Sequence, residues 1–309
     1  MKIAILGASS QIAKDLILSF LMSDEYELTL FARKPEAMAA WLKKIGANKS
    51  VTATGYSEFK LNENFDVVMN FVGIGNPAVA AAMGASIFDV TQKYDELAIS
   101  YLKQTPTCRY IFLSSGAAYG SSFDKSATEK TVAFIPINNL HSQDWYGVAK
   151  LYAECRHRSL PHLPIVDIRV FNYFSHNQDM DSRFFIADIV RSILEKRVLE
   201  VSKDKIFRDI IGPKDFYQII KSILNSPAQN DVIDCYTRAP IDKETLLLTI
   251  SEKFGLKYRL IEDSNAINAT GYKKNYYSEN RRAENYGYKP NFSSIETIVV
   301  EIEQILKNA

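Results

Sequence analysis

Short apolar runs alternate with helix-spaced segments over the first 170 residues, and this rhythm limits the fold more than any other feature of the chain. Lys2 to Leu6 is a compact apolar run that ends at Gly7. Ile12 to Met22 follows, with Ile12, Leu16 and Phe20 four residues apart, the spacing of one helical face. Glu27 to Ala32 reads as a second strand, and Pro35 to Ile45 as a helix with proline at its start. Val51 to Ala53 is a weak third strand, Asp66 to Val72 a strong fourth, and Ala78 to Leu102 one or two helices. Arg109 to Leu113 is a fifth strand, Trp145 to Leu160 a helix, and Pro164 to Val170 a sixth strand. Strands separated by helices imply parallel pairing in a doubly wound sheet. Their apolar character without alternation fits a sheet covered on both faces. The expected class is α/β, with a Rossmann-type sheet.

After Asn172 the rhythm changes. A loop runs to Asp181, and Phe184 to Glu195 reads as a helix. A short extended piece lies around Ile206, a helix over Phe216 to Leu224, and a last sheet strand over Asp231 to Cys235. Thr245 to Phe254 and Glu296 to Leu306 have helical spacing. The expected division is a dinucleotide-binding domain over 1–172, completed by about 212–236. Residues 173–211 and 237–309 then form a smaller C-terminal substrate-binding lobe.

Composition removes other classes. The 309 residues are 47% hydrophobic and 24% charged with a formal net charge of +1, so neither nucleic acid nor a membrane surface is an expected partner. No apolar run reaches membrane-spanning length and no signal-peptide pattern opens the chain, so a cytoplasmic protein is expected. Cys108, Cys155 and Cys235 are far apart and form no C-x-x-C, which reads as buried free thiols in a reducing compartment. His141, His157, His162 and His176 lack metal-ligand spacing, so no metal is expected.

The first strand runs into Gly7-Ala8-Ser9-Ser10-Gln11-Ile12-Ala13, the position of a dinucleotide-binding turn. Backbone N–H groups there approach a pyrophosphate at the helix N-terminus. Only Gly7 of the glycine fingerprint stands; Ser10 and Ala13 replace the others, and Ser10 is read as a phosphate donor. Gly7, Ser9, Ser10, Gln11 and Ile12 are the candidate cofactor residues, with Phe71 and Val72 at the end of the fourth strand. The second strand ends Phe31-Ala32-Arg33-Lys34, with no acid for ribose hydroxyls. Arg33 and Lys34 therefore favour NADP(H) over NAD(H).

Tyr146-Gly147-Val148-Ala149-Lys150 places a phenol and an ammonium on one helical face. A neighbouring ammonium lowers a phenol's pKa, so Tyr146 can exchange a proton with a carbonyl or alcohol while hydride moves to or from nicotinamide. Tyr56…Lys60 and Tyr217…Lys221 share the spacing. Tyr56 falls in the loop before the fourth strand, and Tyr217 on a late amphipathic helix. Only Tyr146 opens the helix after the fifth strand, whose end, Leu113-Ser114-Ser115-Gly116-Ala117-Ala118-Tyr119-Gly120, is where a site belongs. Ser115, Tyr146 and Lys150 are the candidate catalytic residues.

Strand–GASSQIA, strand–FLSSGAAYG and YGVAK, in that order, resemble the short-chain dehydrogenase/reductase superfamily. The later segments resemble its extended branch, the nucleotide-sugar epimerase/dehydratase family. Ile168-Arg169-Val170-Phe171-Asn172 resembles an R-x-F-N segment, Arg208-Asp209-Ile210-Ile211-Gly212-Pro213-Lys214-Asp215 an R-D-x-x-H-V-x-D motif, and Tyr286-Gly287-Tyr288-Lys289-Pro290 a closing L-G-W-x-P. The resemblance implies that Asn172 and Arg208 orient a nucleotide diphosphate, that Ser115 polarises the reacting oxygen, and that Lys150 also holds the nicotinamide ribose. It implies a homodimer through Tyr94 to Leu102 and the Tyr146 helix. Family dehydratases carry Asp-Glu where this chain has Gly116 and Ala117, and epimerase–reductases carry Cys at Ala117. Both extra chemistries are therefore unexpected here. The expectation is reduction of a keto group on a nucleotide sugar, with a 4-epimerase retaining NAD, or a reductase of non-sugar carbonyls, as alternatives.

Overall fold

The computed structural model describes residues 1–47, 50–60, 63–73, 83–182, 184–262 and 273–308. The first half runs β1 (Lys2–Leu6), α1 (Gln11–Phe20), β2 (Glu27–Phe31), α2 (Pro35–Lys44), β3 (Val51–Thr54), β4 (Val67–Asn70), α3 (Ser86–Gln104), β5 (Arg109–Ser115), α4 (Trp145–Arg158) and β6 (Ile165–Val170). The second runs β7 (Asn172–Tyr173), α5 (Phe185–Leu194), β8 (Val198–Ser202), β9 (Phe207–Arg208), β10 (Ile210–Ile211), α6 (Pro213–Asn225) and β11 (Asp231–Asp234). It ends with β12 (Ile241–Asp242), α7 (Lys243–Phe254), β13 (Lys257–Ile261), β14 (Asn275–Tyr276) and α8 (Ser294–Asn308).

Seven strands form one parallel sheet in the order β11-β6-β5-β4-β1-β2-β3. This is the doubly wound α/β sheet that the alternation requires. The chain builds outward from β1 in one direction and from β4 in the other. The carboxyl ends of β1 and β4 therefore flank the crevice where such sheets bind ligands.

Successive residues of a strand point to opposite faces, so a sheet covered on both sides needs apolar residues at every position. In β1, Ile3 and Ile5 join a cluster with Leu16, Ile17 and Phe20 of α1 and Phe216, Ile219 and Ile220 of α6. Ala4 and Leu6 join the opposite cluster, with Ala98, Ile99 and Leu102 of α3 and Ala153 of α4. A third cluster holds the C-terminal lobe, joining Ile189 and Val190 of α5 to Leu246, Leu247 and Ile250 of α7 and Ile298 and Ile302 of α8.

Several expectations change. Residues 78–82 of the expected 78–102 helical segment lie outside the described residues, and α3 begins at Ser86. Asn172 does not open a loop, because Asn172–Tyr173 pairs with Ile210–Ile211. The helix expected from Phe216 starts at Pro213, whose fixed φ suits a first helical turn. Cys155 is exposed on α4, although Cys108 and Cys235 are buried. Ala98, Ile99, Tyr101 and Leu102, placed by resemblance at a dimer interface, are buried within their own chain. Among the described residues no helix is long and apolar enough to cross a membrane.

Candidate active site

β1 ends in a turn that only glycine can make. Gly7 has φ +76°, and a Cβ there would lie 2.6 Å from both Phe71 C and Val72 N. The Gly7 and Ala8 N–H groups both donate to Phe31 O, at 3.1 and 3.2 Å, which fixes the turn against the end of β2. Gly7→Ala therefore combines a left-handed backbone strain with a backbone collision. It should lower stability by about 1–3 kcal/mol and weaken cofactor affinity. A melting curve and a NADPH titration check this; an unchanged pair of values would remove the turn from the cofactor site.

Ser10 is the N-cap of α1, its Oγ accepting the Ala13 N–H at 3.3 Å, so its hydroxyl oxygen serves the helix rather than standing free for phosphate. Ser9 is exposed beside it and Ile12 is half-buried. Gln11 turns away from the turn: its Nε2 donates to Asp15 Oδ2 at 3.1 Å and Ser175 Oγ at 3.2 Å, joining α1 to the C-terminal lobe. Phe71 is buried, and the Val72 N–H donates to Asn70 Oδ1 at 2.9 Å. Arg33 and Lys34 are exposed at the end of β2.

The second half of the site stands on β5 and α4. Ser115 ends β5, and the chain then makes a single tight helical turn over Gly116–Tyr119. A Cβ on Gly147 would lie 2.5 Å from Ala117 O, so glycine lets α4 abut that turn. The abutment brings the Tyr146 phenol near enough to Ser115 for the serine hydroxyl to favour its ionised form. Lys150 is buried; its Nζ donates to Leu113 O at 2.7 Å and lies 4.4 Å from the Phe112 ring centre and 5.9 Å from that of Tyr146.

Desolvation pushes the Lys150 ammonium down to about 8. Burial raises the Tyr146 pKa, and the Ser115 hydrogen bond pulls against that rise. The expected lowering of Tyr146 by Lys150 is thus not what the structure has. The ammonium takes the nearest carbonyl, at the end of β5, rather than the phenol oxygen.

Two residues not anticipated complete the centre. Tyr276 OH is 3.3 Å from Ser115 Oγ, and its ring packs edge-on against Phe123 at 4.8 Å. Lys273 is 5% exposed, faces a cleft lined by Ala117, Asp144 and Tyr146, and lies 4.5 Å from the Tyr276 ring centre. Among the described residues its ammonium has no hydrogen-bond or ion-pair partner, and burial with the nearby Arg208 charge pushes it down to about 8. Nothing but the density of Tyr and Lys in Tyr272-Lys273-Lys274-Asn275-Tyr276-Tyr277 marks this segment.

Arg208 adjoins the same group, its Nη1 donating to Lys273 O at 2.8 Å. Asn172 uses its amide on Asp209 O at 3.0 Å and Tyr276 O at 3.2 Å, so it holds β14 in place. The acids of the Arg208–Asp215 segment are clamps. Asp209 accepts from Thr237 and Ser294, and Asp215 from the Asn291 and Phe292 N–H groups at 2.8 and 3.1 Å. In the closing segment Tyr288 OH donates to Tyr236 O at 2.8 Å.

Of the rival Tyr…Lys pairs, Tyr217 packs edge-on to Phe20 at 5.6 Å, as a core role requires. Tyr56 is different. It opens a short helical turn after β3, and its oxygen accepts the Gly7 N–H at 3.0 Å, so it touches the turn that ends β1.

A model of the NAD dependent epimerase/dehydratase family matches residues 3–236. No curated protein matches the sequence. The fold is similar to that of UDP-glucuronic acid 4-epimerase from Bacillus cereus, solved with UDP-glucuronic acid and NAD, at TM-score 0.79 and 18% identity over 100% of both chains. It is also similar to UDP-N-acetylglucosamine 4-epimerase from Methanobrevibacter ruminantium, at TM-score 0.81 and 17% identity over 100% of this chain and 99% of that one. The dTDP-glucose 4,6-dehydratase of Bacillus anthracis, in complex with NAD, follows at TM-score 0.78 and 16% identity, over 100% of this chain and 97% of that one.

Proposed function

The chain belongs to the NAD-dependent epimerase/dehydratase family, enzymes of the extended short-chain dehydrogenase/reductase type, and we propose that it reduces a keto group on a nucleotide-activated sugar, of the 4-keto-6-deoxy class, with NADPH. The observation that carries the choice of reaction lies at Gly116. A side chain there would drive into the Phe171 ring, so the place next to Ser115 has no room for an elimination acid. Hydride transfer at one carbon remains. The choice of NADPH rests on Arg33 and Lys34 at the end of β2, with no acid beside them.

The turn at Gly7 and the N-terminus of α1 suit a dinucleotide, because first-turn N–H groups there have no intrahelical partner. Gly7 and the N-terminus of α1 would hold a reduced nicotinamide cofactor, whose chemistry would be hydride donation to the carbonyl carbon. Tyr146 gives its phenolic proton to the carbonyl oxygen, and Ser115 donates a hydrogen bond to the same oxygen. The Lys150 ammonium, 5.9 Å from the Tyr146 ring centre, lies close enough to hold the nicotinamide ribose. Arg208 and Lys273 offer positive charge to the diphosphate, while Asn172 fixes the strand that carries Tyr276. A cytoplasmic homodimer belongs to the same reading.

A 4-epimerase that retains NAD is the second reading, favoured by the epimerases among the similar folds. Tyr146 would then first take and later return the proton. A panel of UDP, GDP, CDP and dTDP, each with NADP and with NAD, separates the readings. Stabilisation by one nucleotide together with an exchangeable NADPH is expected, since a ligand that binds only the folded state raises melting by mass action. Nicotinamide absorbance that survives dialysis would favour the epimerase. If no nucleotide shifts melting, the nucleotide-sugar reading falls.

A further inference from the structure

We propose that Tyr56 acts with Arg33 as the receptor for the phosphate that distinguishes NADPH from NADH, on the ribose of the adenosine. The inference rests on the cofactor half of the reading above and adds a residue to it.

Three strand ends converge at this point. The Gly7 N–H donates to Phe31 O at 3.1 Å, and the Ala32 N–H donates to Thr54 O at 3.1 Å. Tyr56, two residues beyond β3, reaches across so that its oxygen accepts the same Gly7 N–H at 3.0 Å. The ends of β1, β2 and β3 are thereby joined at the phenol. The end of β2 is where an NAD-binding fold places a carboxylate, which accepts hydrogen bonds from ribose hydroxyls.

No carboxylate stands there. The side chains at that place are donors. Arg33 carries guanidinium N–H groups that have no hydrogen-bond or ion-pair partner among the described residues, and it is close enough for its charge to act on the Tyr56 oxygen. Tyr56 uses its oxygen as an acceptor for Gly7, while its own proton has no acceptor among the described residues. A guanidinium and a phenol proton match a group that only accepts, and a phosphate is such a group. Ribose hydroxyls, the NADH case, would find no carboxylate to receive their protons.

The phenol is also held in place. Its ring lies 4.5 Å from that of Tyr94 on α3, and it packs against the core that contains Phe31, Phe59 and Ile99. A tyrosine fixed in this way loses little freedom when it binds, which suits it to discriminate. Spacing alone paired Tyr56 with Lys60 and hid this role, because the partner that matters, Gly7, lies in a different strand end.

Titration of the full chain with NADPH and NADH, followed by nicotinamide fluorescence, tests the proposal. Adenosine 2′,5′-bisphosphate and ADP serve as probes that lack nicotinamide. Tyr56→Phe removes only the hydroxyl. It should weaken NADPH and the bisphosphate roughly tenfold, the effect of one hydrogen bond to a charged group, and leave NADH and ADP nearly unchanged. Arg33→Gln should show the same selectivity with a larger loss. A melting curve of each variant confirms that the fold is kept. An equal loss for NADPH and NADH would make Tyr56 a support of the turn and overturn the proposal, as would no loss for NADPH. If the unaltered protein binds NADH as well as NADPH, the NADPH reading itself fails. If it prefers NADPH and Tyr56→Phe keeps that preference, only the role of Tyr56 fails.

Discussion

Replacing Tyr146 by Phe should lower turnover of the keto sugar by about 10²- to 10⁴-fold, the usual worth of a positioned general acid. The substitution is small in structural terms. Gly147, not the phenol hydroxyl, sets the approach of α4 to the Gly116–Tyr119 turn, so Phe keeps that packing. NADPH affinity should therefore change little while kcat falls. The pH profile follows from two groups. Burial raises Tyr146, so the proton-donating form persists through neutral pH. Lys150 is pushed down to about 8, so its charge is present below that pH and lost above it. Without the cation the hold of Lys150 on the nicotinamide ribose weakens. Reduction should then decline as pH rises past about 8, well before an ordinary lysine would titrate. Turnover in Tyr146→Phe comparable to the unaltered enzyme would sink the assignment of the acid, and a profile flat through that range would remove Lys150 from the step.

The sheet was legible because each central strand is apolar on both faces, as Ile3 and Ile5 against Ala4 and Leu6 show. That pattern is local, and so is the spacing that sets Tyr146 and Lys150 on one helix. β13 was not legible, because Lys257 and Arg259 are charged and exposed, and the strand exists only by pairing with the distant β8. The site divides in the same way. Ser115, Tyr146 and Lys150 were named from strand end and helix start, whereas Tyr276 and Lys273 reach the centre only through the pairing of β14 with β9. Position along the chain placed Tyr56 before the fourth strand, where it lies, but could not show that it touches the turn at Gly7. The resemblance brought Asn172 and Arg208 into the site, but the geometry alone shows Asp209 and Asp215 as clamps on Thr237, Ser294 and the Asn291 backbone.

His157→Phe should destabilise the protein by about 3–5 kcal/mol, the effect of removing one partner from a buried ion pair. The imidazole is 0% exposed between α3, α4 and β6. Its Nδ1 lies 2.6 Å from Asp167 Oδ1 and its Nε2 lies 2.7 Å from Asp95 Oδ1. An imidazole that donates from both nitrogens is protonated. Burial opposes that charge, but the two carboxylates outweigh it and raise His157 from 6.5 to about 9. Around the carboxylates, Arg156 Nη1 meets Asp95 Oδ2 at 3.1 Å and Arg158 Nη2 meets Asp167 Oδ2 at 2.9 Å. Phe in place of His would leave both acids buried with one of their three cationic partners gone. The sign with pH is fixed by the direction of the shift. A base raised in the fold stabilises fully below its unfolded value of 6.5, and that stability is lost as pH rises through about 9. The rise is equivalent to about 3 kcal/mol. The difference in denaturant stability between His157→Phe and the unaltered protein should thus be widest below pH 6.5 and narrow above 9. Lys273 also titrates near 8, but Asp95 and Asp167 are not among the causes of its shift, so it cancels in that difference; Lys150 is coupled to both carboxylates, so the flanks of the curve below 6.5 and above 9 are the ones compared. A difference that stays constant across the range would show that His157 acts by shape, not charge.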